Sequence, residues 1–161
     1  MDNKSLCDSC RERAVVRSID ERRAMRAEPV DDRPQIQVPE DAAELLLREL
    51  RDRDRERCAL LALDTKHRLI ELVVVSVGTV NRTYMSAREV YRDALLLGAS
   101  AIVLGHNHPS GELTPSADDL RVTKNLTAVG EELGVPLLDH LIVAGEQWIS
   151  LTRRSLTQEA A

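Results

Sequence analysis

Ala101-Ile102-Val103-Leu104-Gly105-His106-Asn107-His108-Pro109 is an apolar run that ends in two histidines, and the rest of the chain is arranged about it. Ala101 to Leu104 read as a buried β-strand. His106 and His108 are two residues apart, so at the end of a strand, or in an extended exit from one, both imidazoles face the same way. Pro109 favours an extended conformation at His108, because the residue before a proline is pushed out of the α region. Two imidazoles on one face suit a divalent metal such as zinc, which then needs one or two more ligands.

The next residues offer them. Ser110-Gly111 is a turn signal, Pro115-Ser116 a helix start, and Ala117 to Leu133 read as a helix. Asp119 falls on its first turn, where the helix N-terminus favours a carboxylate and the side chain can reach back to the histidines. Asp118 is a rival on the same local geometry. Two histidines and one aspartate, with a fourth position left to water, form the ligand set of a hydrolytic zinc site rather than a closed structural one.

Upstream, Pro39, Glu40 and Asp41 mark the start of a helix. Ala42, Ala43, Leu45, Leu46, Leu47 and Leu50 give it an apolar face. The alternating charges of Arg51 to Arg57 read as a solvated helix end or turn. Cys58 to Asp64 and Leu69 to Val77 read as two strands. Ser86 begins a helix over Ala87–Gly98, with Glu89 completing a capping box, and Val90, Ala94, Leu95 and Leu97 are expected to pack on the sheet. Downstream of the Asp119 helix, Gly134-Val135-Pro136 breaks the chain. Strands follow over Leu137–Val143 and Gln147–Leu151, and Trp148 is assigned to the core. Asp139 and His140 interrupt the first of these strands.

Residues 1–37 are rich in Arg, Asp and Glu, poor in large apolar residues, and read as a polar, flexible segment. Cys7 and Cys10 have the spacing of half a zinc knuckle. No second Cys or His pair accompanies them within the segment, so they read as incidental thiols rather than a redox pair or a metal site shared between chains. One folded domain is expected over 38–152, with a tail over 153–161. The 161 residues suffice for a real core. Aromatics are scarce, with one Trp, two Tyr and no Phe, so the core must be built from Leu, Val, Ile and Ala. A net charge of −5 argues against a protein whose main task is coating nucleic acid. No apolar run approaches membrane-spanning length and the N-terminus lacks a signal-peptide core. Three cysteines fit a reducing cytoplasm better than a disulfide framework. Oligomeric state is left open.

His106-Asn107-His108-Pro109 followed by Ser116-Ala117-Asp118-Asp119 resembles the JAMM (MPN+/JAB) metalloprotease signature, His-x-His-Pro then Ser-x-x-Asp. The wording His106-Asn-His-Pro-Ser-Gly111, with Leu138-Asp-His-Leu-Ile-Val143 downstream, is similar to the RadC-like branch of that superfamily, and the likeness extends from Val38 to Leu151. It implies an α/β fold of the cytidine-deaminase-like (JAB/MPN) type, a mixed sheet flanked by helices. In its register the metal-binding aspartate is Asp119, and the resemblance implies Zn2+ held by His106, His108 and Asp119. A glutamate at the start of the first strand takes the proton from the zinc-activated water and later delivers it to the leaving amine; Glu56 stands in the corresponding place, with Glu71 as the substitute. Ser116 is expected to hydrogen-bond the developing oxyanion. Asp139-His140 belongs to the branch's pattern, which allows the pair a role behind the ligands or beside the substrate.

The expected activity is thus zinc-dependent cleavage of peptide or isopeptide bonds, with a peptide or a conjugate of a ubiquitin-like protein as substrate. The alternative is a DNA-repair-associated module that binds or cleaves nucleic acid. The acidic balance weighs against it, as does the absence of the helix-hairpin-helix region common ahead of RadC domains.

Overall fold

The computed structural model describes residues 32–78 and 85–152. The expected polar segment with Cys7 and Cys10 lies almost wholly outside the described residues, and the expected tail does so entirely. Every element belongs to one compact unit that begins at Pro34. In chain order they are α1 (Pro39–Leu50), β1 (Arg57–Leu63), β2 (Leu69–Val77), α2 (Ala87–Leu97), β3 (Ala101–Asn107), α3 (Ala117–Leu133), β4 (Leu137–Ala144) and β5 (Gln147–Ser150).

The sheet order is β2-β1-β3-β4-β5. β1 runs antiparallel to both β2 and β3. β3 and β4 are parallel, as a strand-helix-strand crossover through α3 requires. β4 turns back antiparallel into β5 through a loop that opens with Gly145 at φ 57°. The sheet is therefore mixed and flanked by helices, the α/β architecture expected of the JAB/MPN type.

β1 and β3 are buried along their length because both faces of the sheet are covered. Alternation sorts their side chains into two cores. Cys58, Leu60, Ala62, Ile102 and Leu104 pack with Val90, Tyr91, Ala94 and Leu97 of α2 and Leu126 of α3. Ala59, Leu61, Leu63, Ala101 and Val103 pack with Ala42, Ala43, Leu46 and Leu50 of α1. A Cβ on Gly105 would lie 2.7 Å from a Leu46 methyl, so the bare backbone at Gly105 lets α1 sit close to β3. The same alternation carries past Leu104 and directs His106 to the side of α2 and α3.

Two packing expectations need correction. Leu95 is 50% exposed; it falls off the Val90–Ala94–Leu97 stripe, and Tyr91 fills the contact with α3 instead. Trp148 is half-buried, packed at the margin of the α1 core rather than inside it.

Tyr91 Oη donates to the Leu126 carbonyl of α3 at 2.8 Å. A Cβ on Gly130 would lie 2.3 Å from that Oη and 2.7 Å from the Val135 carbonyl oxygen. Alanine is ordinarily favoured over glycine inside a helix by ~1 kcal/mol. Here overpacking and the lost tyrosine hydrogen bond each cost ~1–3 kcal/mol. Gly130→Ala should therefore destabilise the fold by about 2 kcal/mol net. A urea midpoint that rises in the variant would contradict this packing.

Candidate metal centre

β3 continues beyond Leu104 to Asn107, so His106 stands within the strand and is 1% exposed. His108 follows directly, its N–H donating to the Val143 carbonyl of β4 at 2.8 Å. The two Nε2 atoms are 3.0 Å apart. Asp119 joins them from α3, with Oδ1 at 3.2 Å from His106 Nε2 and Oδ2 at 3.6 Å from His108 Nε2. Asp118, one residue earlier, is exposed and pairs with Arg121 at 3.1 Å. The choice between the two aspartates is thus made by the helical turn, which aims only the second at the histidines.

Asp119 is held in place by a reciprocal cap. Ser116 is the N-cap residue of α3 and Asp119 the third residue of the helix. The Ser116 N–H donates to Asp119 Oδ2 at 2.8 Å, and its hydroxyl donates to the same oxygen at 2.6 Å. The Asp119 N–H donates back to Ser116 Oγ at 3.1 Å. In this geometry the Ser116 proton orients the aspartate.

His108 Nδ1 lies 2.7 Å from the carbonyl oxygen of Glu112. A carbonyl only accepts, so Nδ1 carries a proton and, in the neutral ring, the bare nitrogen is Nε2. His106 Nδ1 is likewise engaged, 2.8 Å from His140 Nε2. The ring atoms facing Asp119 are therefore the ones available to a metal. Burial alone would raise Asp119, but the His106 and His108 rings, which donate to it when protonated, the charge of protonated His106 and the Ser116 hydroxyl hold its carboxyl well below the usual carboxylate range. His108 is raised, chiefly because its protonated ring donates to Asp119, against burial and with help from the Glu112 carbonyl and the charges of Asp119 and Glu56. Acceptor atoms that converge in this way call for a positive charge among them. Donors around a tetrahedral ion bound at roughly 2.0–2.1 Å stand about 3.3 Å apart, close to the spacings found here. The residues fit a metal ion, and His106, His108 and Asp119 could hold one.

Glu56 immediately precedes β1. The register pairs Cys58 with His106, so two residues back Glu56 stands opposite His108, close enough for its charge to act on that imidazole. Its backbone is pinned on three sides. Asn107, 3% exposed, accepts the Arg57 N–H at 2.7 Å and donates to the Arg55 carbonyl at 3.0 Å. The Glu56 carbonyl accepts the Gly78 N–H at 2.8 Å. Glu71 pairs with Ala62, four residues further along β1 from Cys58 and so roughly 13 Å from the level of His106.

Asp139 and His140, neighbours in sequence, face opposite sides of the sheet. His140 is fully buried on the side of His106, where burial and the charge of His106 hold it well below the usual imidazole range. Asp139 Oδ1 accepts the Ser150 hydroxyl at 2.9 Å and the His140 N–H at 2.7 Å, tying β5 to β4. Asn107, Thr123 and the Glu112 carbonyl were not expected from the sequence. Asn107 sits between the two histidines, and strand alternation could have flagged it as a buried amide on the other face. Thr123 and the carbonyl had no local signal.

Comparison with known proteins gives a consistent result. The family model for the RadC-like JAB domain matches residues 36–156. A UPF0758 protein of Desulfitobacterium hafniense is 38% identical over 135 residues, 84% of this chain and 59% of that protein. One from Moorella thermoacetica is 44% identical over 121 residues, covering 75% and 53% of the two chains. One from Chloroflexus aggregans is 40% identical over 127 residues, covering 79% and 56%. The matched regions thus span a little over half the length of these relatives.

Proposed function

The chain belongs to the RadC-like JAB domain family, and on that premise we propose that it is a zinc-dependent hydrolase of peptide or isopeptide bonds. The observation that carries this reading is the convergence of His106, His108 and Asp119, whose ligand atoms all lie within 4.8 Å of one another. Two histidines and one carboxylate are a set that hydrolytic zinc sites use, with a further position left open. When bound there, zinc supplies a Lewis-acid centre and brings the pKa of a water toward neutrality.

The chain's own groups supply the rest. Glu56 takes a proton on its carboxylate and later returns it to the leaving amine. Its position across from His108 puts that carboxylate beside the ligand cluster, and distance weighs against Glu71. Ser116 has a hydroxyl now directed to Asp119 Oδ2; a turn about Cβ–Oγ carries the same proton toward a developing oxyanion.

The test is metal content together with turnover. Purified protein should carry about one zinc ion per chain, lose hydrolysis of a peptide and isopeptide panel on chelation, and regain it when zinc is restored. Protein that takes up no metal after zinc is added back would overturn the reading.

A further inference from the structure

The proton positions behind the ligands follow by elimination. Thr123 Oγ1 lies 2.7 Å from the Asp119 carbonyl oxygen. That oxygen can only accept, so the single hydroxyl proton is directed to it. Thr123 Oγ1 also lies 2.6 Å from His140 Nδ1. With its proton engaged, the oxygen accepts there, and His140 is the Nδ1–H tautomer. The His140 ring is 0% exposed and its contacts are a hydroxyl and an imidazole, so a buried charge on it would be costly and the ring carries one proton. Its Nε2 is then an acceptor, and it receives a hydrogen bond from His106 Nδ1 at 2.8 Å. A neutral His106 is left with a bare Nε2, aimed at Asp119 and His108.

The opposite polarity has a specific cost. If Thr123 donated to His140, its oxygen would face the Asp119 carbonyl at 2.7 Å with no proton between them. His140 would then donate from Nε2, and His106 would carry its proton on the nitrogen that faces the ligand cluster. The Asp119 carbonyl therefore sets the direction of the whole chain of hydrogen bonds.

We propose that Thr123 and His140 are positioning residues that fix the tautomer of His106, keeping Nε2 bare for a metal. Neither touches the ligand cluster centre. Neither changes charge in this role. The consequence for metal binding rests on the proposed zinc site, whereas the tautomer can be read without any metal.

The experiment compares wild type, Thr123→Ser and Thr123→Val. In metal-free protein at alkaline pH, long-range nitrogen–proton NMR should show His106 as the Nδ1–H tautomer in wild type and in Thr123→Ser. In Thr123→Val, which removes the acceptor for His140 Nδ1, the Nε2–H form should gain population. Competition with a chromophoric chelator should show zinc affinity about 10–100-fold weaker in Thr123→Val and close to wild type in Thr123→Ser. A wild-type His106 protonated on Nε2 overturns the inference, whether or not Thr123→Val folds. So does a Thr123→Val protein with unchanged tautomer and affinity. Zinc that fails to bind even wild type would sink the proposed function while the NMR result still decides the tautomer.

Discussion

Replacing Glu56 with glutamine should leave the metal in place and lower turnover by about 10²–10⁴-fold. Glutamine has nearly the size of glutamate, so the segment that carries residue 56 keeps its clamp. Asn107 still holds the Arg57 N–H and the Arg55 carbonyl, and Gly78 still holds the carbonyl of residue 56. What glutamine cannot do is accept and return a proton. Metal content and turnover should therefore separate in this variant, which simple unfolding would not produce. Full turnover in Glu56→Gln would place the base elsewhere. Glu71, paired with Ala62 well along β1, is poorly sited to take over.

Replacing His108 with alanine should remove metal and activity together. The cluster holds one ligand atom from each of three residues, and the loss of one leaves two, too few to hold zinc against solvent. The effect on folding should be small by comparison, because His108 lies beyond the end of β3 and outside both cores. Inductively coupled plasma mass spectrometry should find about one zinc per chain in wild type and nearly none in the variant. Zinc that survives the change would point to Cys7 and Cys10.

Together the two variants divide the site. His108→Ala tests the group that holds the ion, and Glu56→Gln tests the group that moves a proton beside it. Among the described residues no helix is long and apolar enough to cross a membrane. The DNA-repair alternative gains no specific observation from the site, whose described groups converge on a metal-sized cluster.

Much of this was legible in the chain itself, and for a local reason. The spacing of two between His106 and His108 puts both rings on one side of any extended segment. Ser116 and Asp119 form a cap from four consecutive residues, so sequence alone carries that geometry. The apolar runs of β1 and β3 and the helix-start signals at Pro39 and Ser86 are likewise local features of the chain. Local reasoning left Asp118 beside Asp119, and the family register was needed to choose between them. The turn of α3 agrees, pairing Asp118 with Arg121 on the exposed side.

The rest depended on contacts between distant residues. His140 meets His106 across 34 positions, because the parallel pairing of β3 and β4 sets Leu104 beside His140 and so brings His106 one step away on the same face. Asn107 reaches Arg55 and Arg57 across about fifty positions, and Glu56 comes opposite His108 only through the β1–β3 register. A register is fixed by how two strands and the helices over them pack as a whole. Periodicity within one strand tells which face a side chain takes. Which neighbour it meets there, and so which nitrogen of His106 holds its proton, was decided by the tertiary structure.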